Sequence, residues 1–183
     1  MKVLLSPAKS QQFDDPKPDY NNITYPKYLN EAELLINNLK GLHPLEIKEK
    51  LKVSEKLAVL NHSRYQKWTS CHNSTNAQCA IFAFKGDTYQ GFNINTLDEK
   101  HYNFLQEHLW IISGLYGILK PFDYIQPHRL EMGNSHINLY QFWKDKIYQA
   151  LLENTPESKQ IIVNCASNEY SKSITPYLSD NII

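Results

Sequence analysis

A chain of 183 residues with 42% apolar and 12% aromatic side chains can bury one substantial core, which points to a single domain over 1–183. Lysine plus arginine and aspartate plus glutamate both number 19, so the formal charge of +0 excludes a long-range pull on polyanions by the whole molecule; a nucleic-acid site has to come from local clustering. The N-terminal apolar run is only Val3 to Leu5 and meets Pro7, Lys9 and Asp14-Asp15, which excludes a signal-peptide core or membrane span and predicts a cytoplasmic chain with its three cysteines reduced.

After a first strand at Val3–Leu5, the polar stretch from Ser10 to Pro26 reads as an irregular loop. From Tyr28, the positions Leu29, Ala32, Leu35, Ile36 and Leu39 follow a helical period that Gly41 ends. Pro44 suits the first turn of a second helix burying Leu45, Ile47 and Leu51, and Ser54 caps a third carrying Leu57, Ala58 and Leu60. Ser70–Gln78 is a loop before a strand over Cys79–Phe84, and Asp98 opens a helix with Phe104, Leu105 and Leu109 on one face.

Trp110-Ile111-Ile112 predicts a buried strand breaking into the glycine turn Ser113-Gly114-Leu115-Tyr116-Gly117, where backbone can approach a ligand. Pro121 and Pro127 bracket an extended segment leading to Arg129-Leu130-Glu131-Met132-Gly133. Leu139, Trp143, Ile147 and Leu151, with Phe142 and Tyr148, predict one amphipathic helix to about Asn154, and the last strand runs from Gln160 to Asn164. The short apolar tail at 181–183 gives the chain a truncated look.

The strand-like runs share a habit: each ends in polar, chemically capable residues. Val3–Leu5 runs into Ser6-Pro7-Ala8-Lys9, Ile81–Phe84 into Lys85-Gly86-Asp87, and Ile161–Val163 into Asn164-Cys165-Ala166-Ser167-Asn168-Glu169-Tyr170. In open α/β sheets the ligand crevice lies outside the carboxyl ends of the strands, so one site can collect Lys9, Lys85, Asp87, Asn164, Ser167 and Glu169.

Five separated blocks, in order across the chain, carry a resemblance: Ser6–Lys9, Phe84–Tyr89, Ser113–Gly117, Arg129–Gly133 and Asn164–Tyr170. Together they resemble the YaaA family of bacterial peroxide-stress proteins, also called UPF0246 or DUF328. The resemblance implies a cytosolic α/β protein with a positively charged cleft, associated with limiting unincorporated iron and protecting DNA from peroxide. It also implies a helix-hairpin-helix-like element, matched here by Ile47–Trp68, although the usual glycine of that hairpin is absent. The family continues past the end of this chain with a basic C-terminal segment.

Lys9 and Lys85 can present ammonium groups to a phosphate or carboxylate, or, if buried with Asp87 or Glu169, act as base or nucleophile; a lysine at a strand end is also often simply solvated. Asp87 and Glu169 suit proton transfer or hard-metal binding, but charge pairing explains them better. Arg129 is a natural bidentate anchor for an anion, with a structural clamp on Glu131 as the alternative. Cys71, His72 and Cys79 match no compact zinc signature, and His62, His101, His108, His128 and His136 read as surface or helix-end residues; no metal or cofactor is implied. Cys165 reads as inert core, and the lack of Gly-x-Ser-x-Gly argues against a hydrolase triad at Ser6 or Ser113.

Lys48, Lys50, Lys52, Lys56, Arg64 and Lys67 cluster on the helical segment beside Tyr65 and Trp68, with Glu46, Glu49 and Glu55 interleaved. The expectation is therefore a mixed sheet flanked by helices, with a helical subdomain at about 41–68 and a polar cleft at the strand ends. Its expected ligand-contacting set is Ser6, Lys9, Lys85, Gly86, Tyr89, Ser113, Gly114, Tyr116, Gly117, Arg129, Glu131, Asn164, Ser167 and Tyr170, with Lys56 and Arg64 on the hairpin. DNA is the expected partner, bound without base specificity; an enzyme acting on a nucleotide, nucleobase or other small anion is the alternative.

Overall fold

The computed structural model describes residues 1–14, 20–153 and 161–178. Its frame is a four-stranded mixed sheet of β1 (Lys2–Leu5), β5 (Leu109–Ser113), β6 (Gly117–Leu119) and β8 (Ile162–Asn164), in the order β6-β5-β1-β8. β1 lies parallel to both neighbours, Leu4 opposite Trp110 on one side and Asn164 on the other, while β5 and β6 form an antiparallel hairpin. Parallel neighbours require crossovers, and the helices α1 (Leu29–Lys40), α2 (Pro44–Leu51), α3 (Glu55–Lys67) and α6 (Glu99–His108) lie in the first of them. Among the described residues no helix is long and apolar enough to cross a membrane.

One hydrophobic cluster runs from Leu4 to Ile174 and takes in the buried faces of α1, α2 and α3. α2 starts as its sequence dictates: Pro44 occupies the first turn, and the His43 ring and Glu46 carboxylate exchange a reciprocal cap. Ser54 caps α3 by accepting the Leu57 amide at 3.3 Å. The inward faces differ from expectation. Ile47 and Leu51 are buried but Leu45 is 55% exposed; on α3 the inward residues are Ala58, Asn61 and Tyr65, leaving Leu57 and Leu60 at the surface. Only a narrow stripe of each helix is therefore covered.

The expected strand at Cys79–Phe84 is instead split into β3 (Gln78–Cys79), one helical turn α4 (Ala80–Ala83) and β4 (Phe84–Lys85). Every residue from Cys79 to Phe84 is buried, and an apolar run without alternation has no period to distinguish strand from helix. The turn is stitched by Ala80 and Ile81 amides donating to the carbonyls of Asp123 and Pro121, both at 2.9 Å. β3 pairs with β7 (Tyr124–Ile125), and β4 pairs with β2 (Ser10–Gln11), which gives order to the start of the predicted loop. Residues 15–19 of that loop lie outside the described residues.

α6 begins at the Asp98 cap as expected, but Phe104 is 57% exposed and Leu109 already belongs to β5. The long helix predicted from Leu139 breaks at Lys144, whose φ of 46° ends α7 (Leu139–Trp143) before α8 (Lys146–Leu152). Its stripe survives the break, since Leu139, Trp143, Ile147 and Leu151 are all fully buried. Asn154, Gln160 and 181–183 lie outside the described residues.

Candidate functional site

The three parallel strands β1, β5 and β8 end on one side, and the segments that follow β1 and β8 are tied together. The Ser167 amide donates to Ser6 Oγ at 2.9 Å, Ser6 Oγ donates to Ser167 Oγ at 3.2 Å, and Tyr89 donates its hydroxyl to the Ser6 carbonyl at 2.7 Å. Asn164 Oδ1 accepts the Ala166 amide at 3.1 Å, which turns the chain after β8. Above these ends lies a chamber of about 580 Å³ walled by Ser6, Lys9, Lys85, Gly86, Asp87 and Ser167. Lys85 arrives there through the β2–β4 ladder, in which Ser10 faces Lys85, and not from the end of a central strand.

A second chamber of about 400 Å³ opens beside the first, lined by Lys9, Lys50, Lys52, Arg129, Glu131 and Glu169. A narrow cleft between Ser113, Gly114, Arg129, Glu131 and Tyr170 also reaches Lys9, so Lys9 borders all three spaces. Arg129 pairs with Glu131 through Nε, and the Tyr65 hydroxyl donates to the Arg129 carbonyl. Glu169 Oε1 accepts the Gly133 amide at 2.9 Å, and Asn134 Nδ2 donates to the Lys50 carbonyl at 2.8 Å, fastening the 129–134 segment to the hairpin. The hairpin bends at Lys52, which carries a left-handed φ of 51°. Lys9 is exposed and Lys85 half-buried, so the burial that a lysine nucleophile needs is not met at Lys9. Burial raises the Tyr89 and Tyr170 hydroxyls far above the ordinary phenol value, so both stay protonated.

Several expected contacts sit elsewhere. Tyr116 is wholly buried, with its hydroxyl held by Trp68, His72 and Gln126. A Cβ on Gly114 would lie 2.2 Å from the Leu130 carbonyl oxygen, and one on Gly117 would lie 2.9 Å from the Trp143 ring, so both glycines admit protein. Lys56 is exposed in the first turn of α3, away from these chambers, and Arg64 lines a separate cavity with Lys67. Cys165, expected in the core, is exposed on the first chamber's wall. His128, expected at the surface, is buried. Lys50 and Lys52 were visible in sequence only as part of a charged helical face; nothing there signals that they meet Lys9.

His128 lies edge-on to Tyr116, and burial lowers its pKa from 6.5 to about 4. Between those values the unfolded chain binds a proton that the native imidazole refuses, so stability falls as pH drops through that window. Asp123 works oppositely: burial raises it from 3.8 to about 6, so the native state holds the extra proton and gains stability on acidification. Urea unfolding between pH 7 and 4 is therefore expected to show a steeper acid loss for Asp123→Asn than for the native chain, and a flatter one for His128→Asn, each by roughly 3 kcal/mol over the window. Parallel profiles for all three proteins would contradict these assignments.

A family profile described as "Peroxide stress protein YaaA" matches residues 1–183. A UPF0246 protein of Paraburkholderia phytofirmans is 41% identical over 186 residues, covering 97% of this chain and 71% of the relative. The UPF0246 protein of Burkholderia cenocepacia J2315 is 42% identical over 188 residues with the same coverage, and that of Shewanella pealeana 43% over 182 residues, covering 96% and 70%. With a family profile matching the whole chain and relatives 41% to 43% identical over nearly all of it, the chain belongs to the peroxide stress protein YaaA family.

Proposed function

We propose that this chain is a cytoplasmic peroxide-stress protein that binds the sugar-phosphate backbone of DNA, without base specificity, in the chamber where Lys9, Lys50, Lys52 and Arg129 converge. The observation carrying this reading is that Lys9 from the first strand end and Lys50 and Lys52 from the hairpin joint line one open chamber, and among the described residues none of the three is in an ion pair. Four cations, Lys9, Lys50, Lys52 and Arg129, share this wall with two carboxylates, Glu131 paired with Arg129 and Glu169 accepting the Gly133 amide, so the wall offers a net positive field to an anion. Phosphate contacts position a duplex and read no sequence. Covering the backbone protects DNA; a part in limiting free iron rests on the family resemblance alone.

The test is fluorescence anisotropy of a labelled duplex at two salt concentrations, with Lys9→Ala/Lys52→Ala beside the native chain. Four phosphate contacts predict that a fourfold rise in salt weakens binding about 100-fold, and that the double variant flattens the log–log slope by about 2. No binding by the folded native protein, or an unchanged slope in the variant, refutes the reading. The second reading, chemistry on a small anion, is favoured by the grouping of Lys9, Lys85 and Asp87 on the wall of the first chamber. It requires turnover that Lys85→Ala abolishes with folding intact.

A further inference from the structure

A fourth space, of about 600 Å³, lies between α3 and the 11–14 segment. That volume is within the roughly 300–1,000 Å³ of small-molecule sites. Ser63, Arg64 and Lys67 of α3 form one wall, with Phe13, Leu60 and Pro127 giving an apolar floor. Ser63 and Lys67 are one turn apart, so both cations and the hydroxyl look into the same space.

Arg64 is the unusual group. It is half-buried, its hydrogen-bond partner is the neutral Asn61 Oδ1 at 3.3 Å, and among the described residues no carboxylate pairs with it. Burial and the nearby Arg129 guanidinium both disfavour its charge. A guanidinium partly withdrawn from water, with no carboxylate in contact among the described residues, favours an anion beside it, which a ligand can supply. Lys67, on the same wall, is also in no ion pair among the described residues. Of the amides bordering the cavity, Gln126 Nε2 donates to the Thr69 carbonyl at 2.6 Å and Asn76 Nδ2 to the Cys71 carbonyl at 2.9 Å, while Gln11 uses its Oε1 to accept the His128 amide at 3.1 Å. Phe13 and Pro127 offer a ring a surface to stack on. Asp14 is the carboxylate on the wall; exposed and outside any described ion pair, it suits the hydroxyls of a ribose.

From this wall of two cations and a hydroxyl over an apolar floor we infer that the cavity is a nucleotide site, binding phosphate through Arg64 and Lys67 and stacking the base on Phe13. It is separate from the DNA reading, since none of its walls includes Lys9, Lys50 or Lys52.

The experiment is equilibrium dialysis of the full chain against labelled AMP, with adenosine and inorganic phosphate as partial probes. AMP is expected to bind with one-to-one stoichiometry and more tightly than either part. Lys67→Gln should weaken AMP about tenfold and leave adenosine unchanged, Phe13→Ala should weaken AMP and adenosine but not phosphate, and Lys9→Ala/Lys52→Ala should change none of them. Lys67 is exposed, so its variant folds irrespective of ligand; Arg64→Lys, which keeps the charge, should retain more AMP affinity than Arg64→Gln. Absence of saturable AMP binding at millimolar concentration by folded protein overturns the inference, as does AMP affinity indifferent to Lys67→Gln or lost in the Lys9/Lys52 variant.

Discussion

Replacing Tyr116 by phenylalanine is expected to lower the unfolding free energy by about 3 to 5 kcal/mol, although the ring that fills the core is retained. A phenolic oxygen has one proton to give and two lone pairs to accept with. Here all three are in use: the Trp68 indole N–H donates to it at 3.0 Å, the Gln126 amide donates at 3.1 Å, and it donates to His72 Nε2 at 3.1 Å. That pattern leaves His72 neutral with its Nδ1 proton toward the Ser70 carbonyl, in keeping with a pKa lowered by burial. Removing one oxygen strands three buried polar atoms at once. For a domain of this size the melting temperature should fall by about 10 °C. A loss below about 1 kcal/mol in guanidinium unfolding would mean that the three groups find other partners, and the account of this network would be wrong.

Gly114→Ala is the second large effect. Its Cβ would stand 2.2 Å from the Leu130 carbonyl oxygen and 3.1 Å from the Leu130 and Glu131 carbonyl carbons, all backbone atoms that no rotamer change can move aside. The 129–131 segment must shift, and with it Arg129 and the Gly114 carbonyl that accepts the Trp143 indole N–H at 3.0 Å. We expect a loss of about 3 kcal/mol, at the upper end for an overpacked core, together with weakened DNA binding. Gly86→Ala is the control: its φ is extended and its Cβ would meet only the Ala8 Cβ at 3.4 Å, so stability should stay within about 0.5 kcal/mol. Equal melting temperatures for the two alanine variants would remove the close approach as an explanation for glycine at 114.

The ends of β1, β5 and β8 were legible because each pairs a short apolar run with an abrupt polar stop, and the caps at Ser54 and Asp98 because side-chain oxygens there satisfy open helix amides. The 78–85 segment was not, since burial on every side erases the period that separates strand from helix. Gly114, Tyr116 and Gly117 show a sharper limit. Sequence marks them as positions of close approach but does not say what approaches, and the approaching groups are Leu130, His72 and Trp143 rather than a ligand. Conversely, the Lys50 and Lys52 side of the crevice depends on docking of the hairpin against Asn134, a contact between residues 84 apart that no local pattern encodes.

The position of β1 in the middle of the sheet has a consequence for synthesis. Both of its partners come over a hundred residues later, Leu109–Ile111 on one edge and Ile162–Asn164 on the other. At ribosomal rates of about 5–20 residues per second, β1 waits on the order of ten seconds for its first neighbour and several more for its second. During that interval Val3, Leu4 and Leu5 present bare hydrogen-bonding edges, the template for pairing with another chain. The strand is only four residues long and is followed at once by Pro7, which keeps that edge short. Concentration-dependent loss to aggregates during synthesis follows, since β1 stays open on both edges until strands far along the chain have been made.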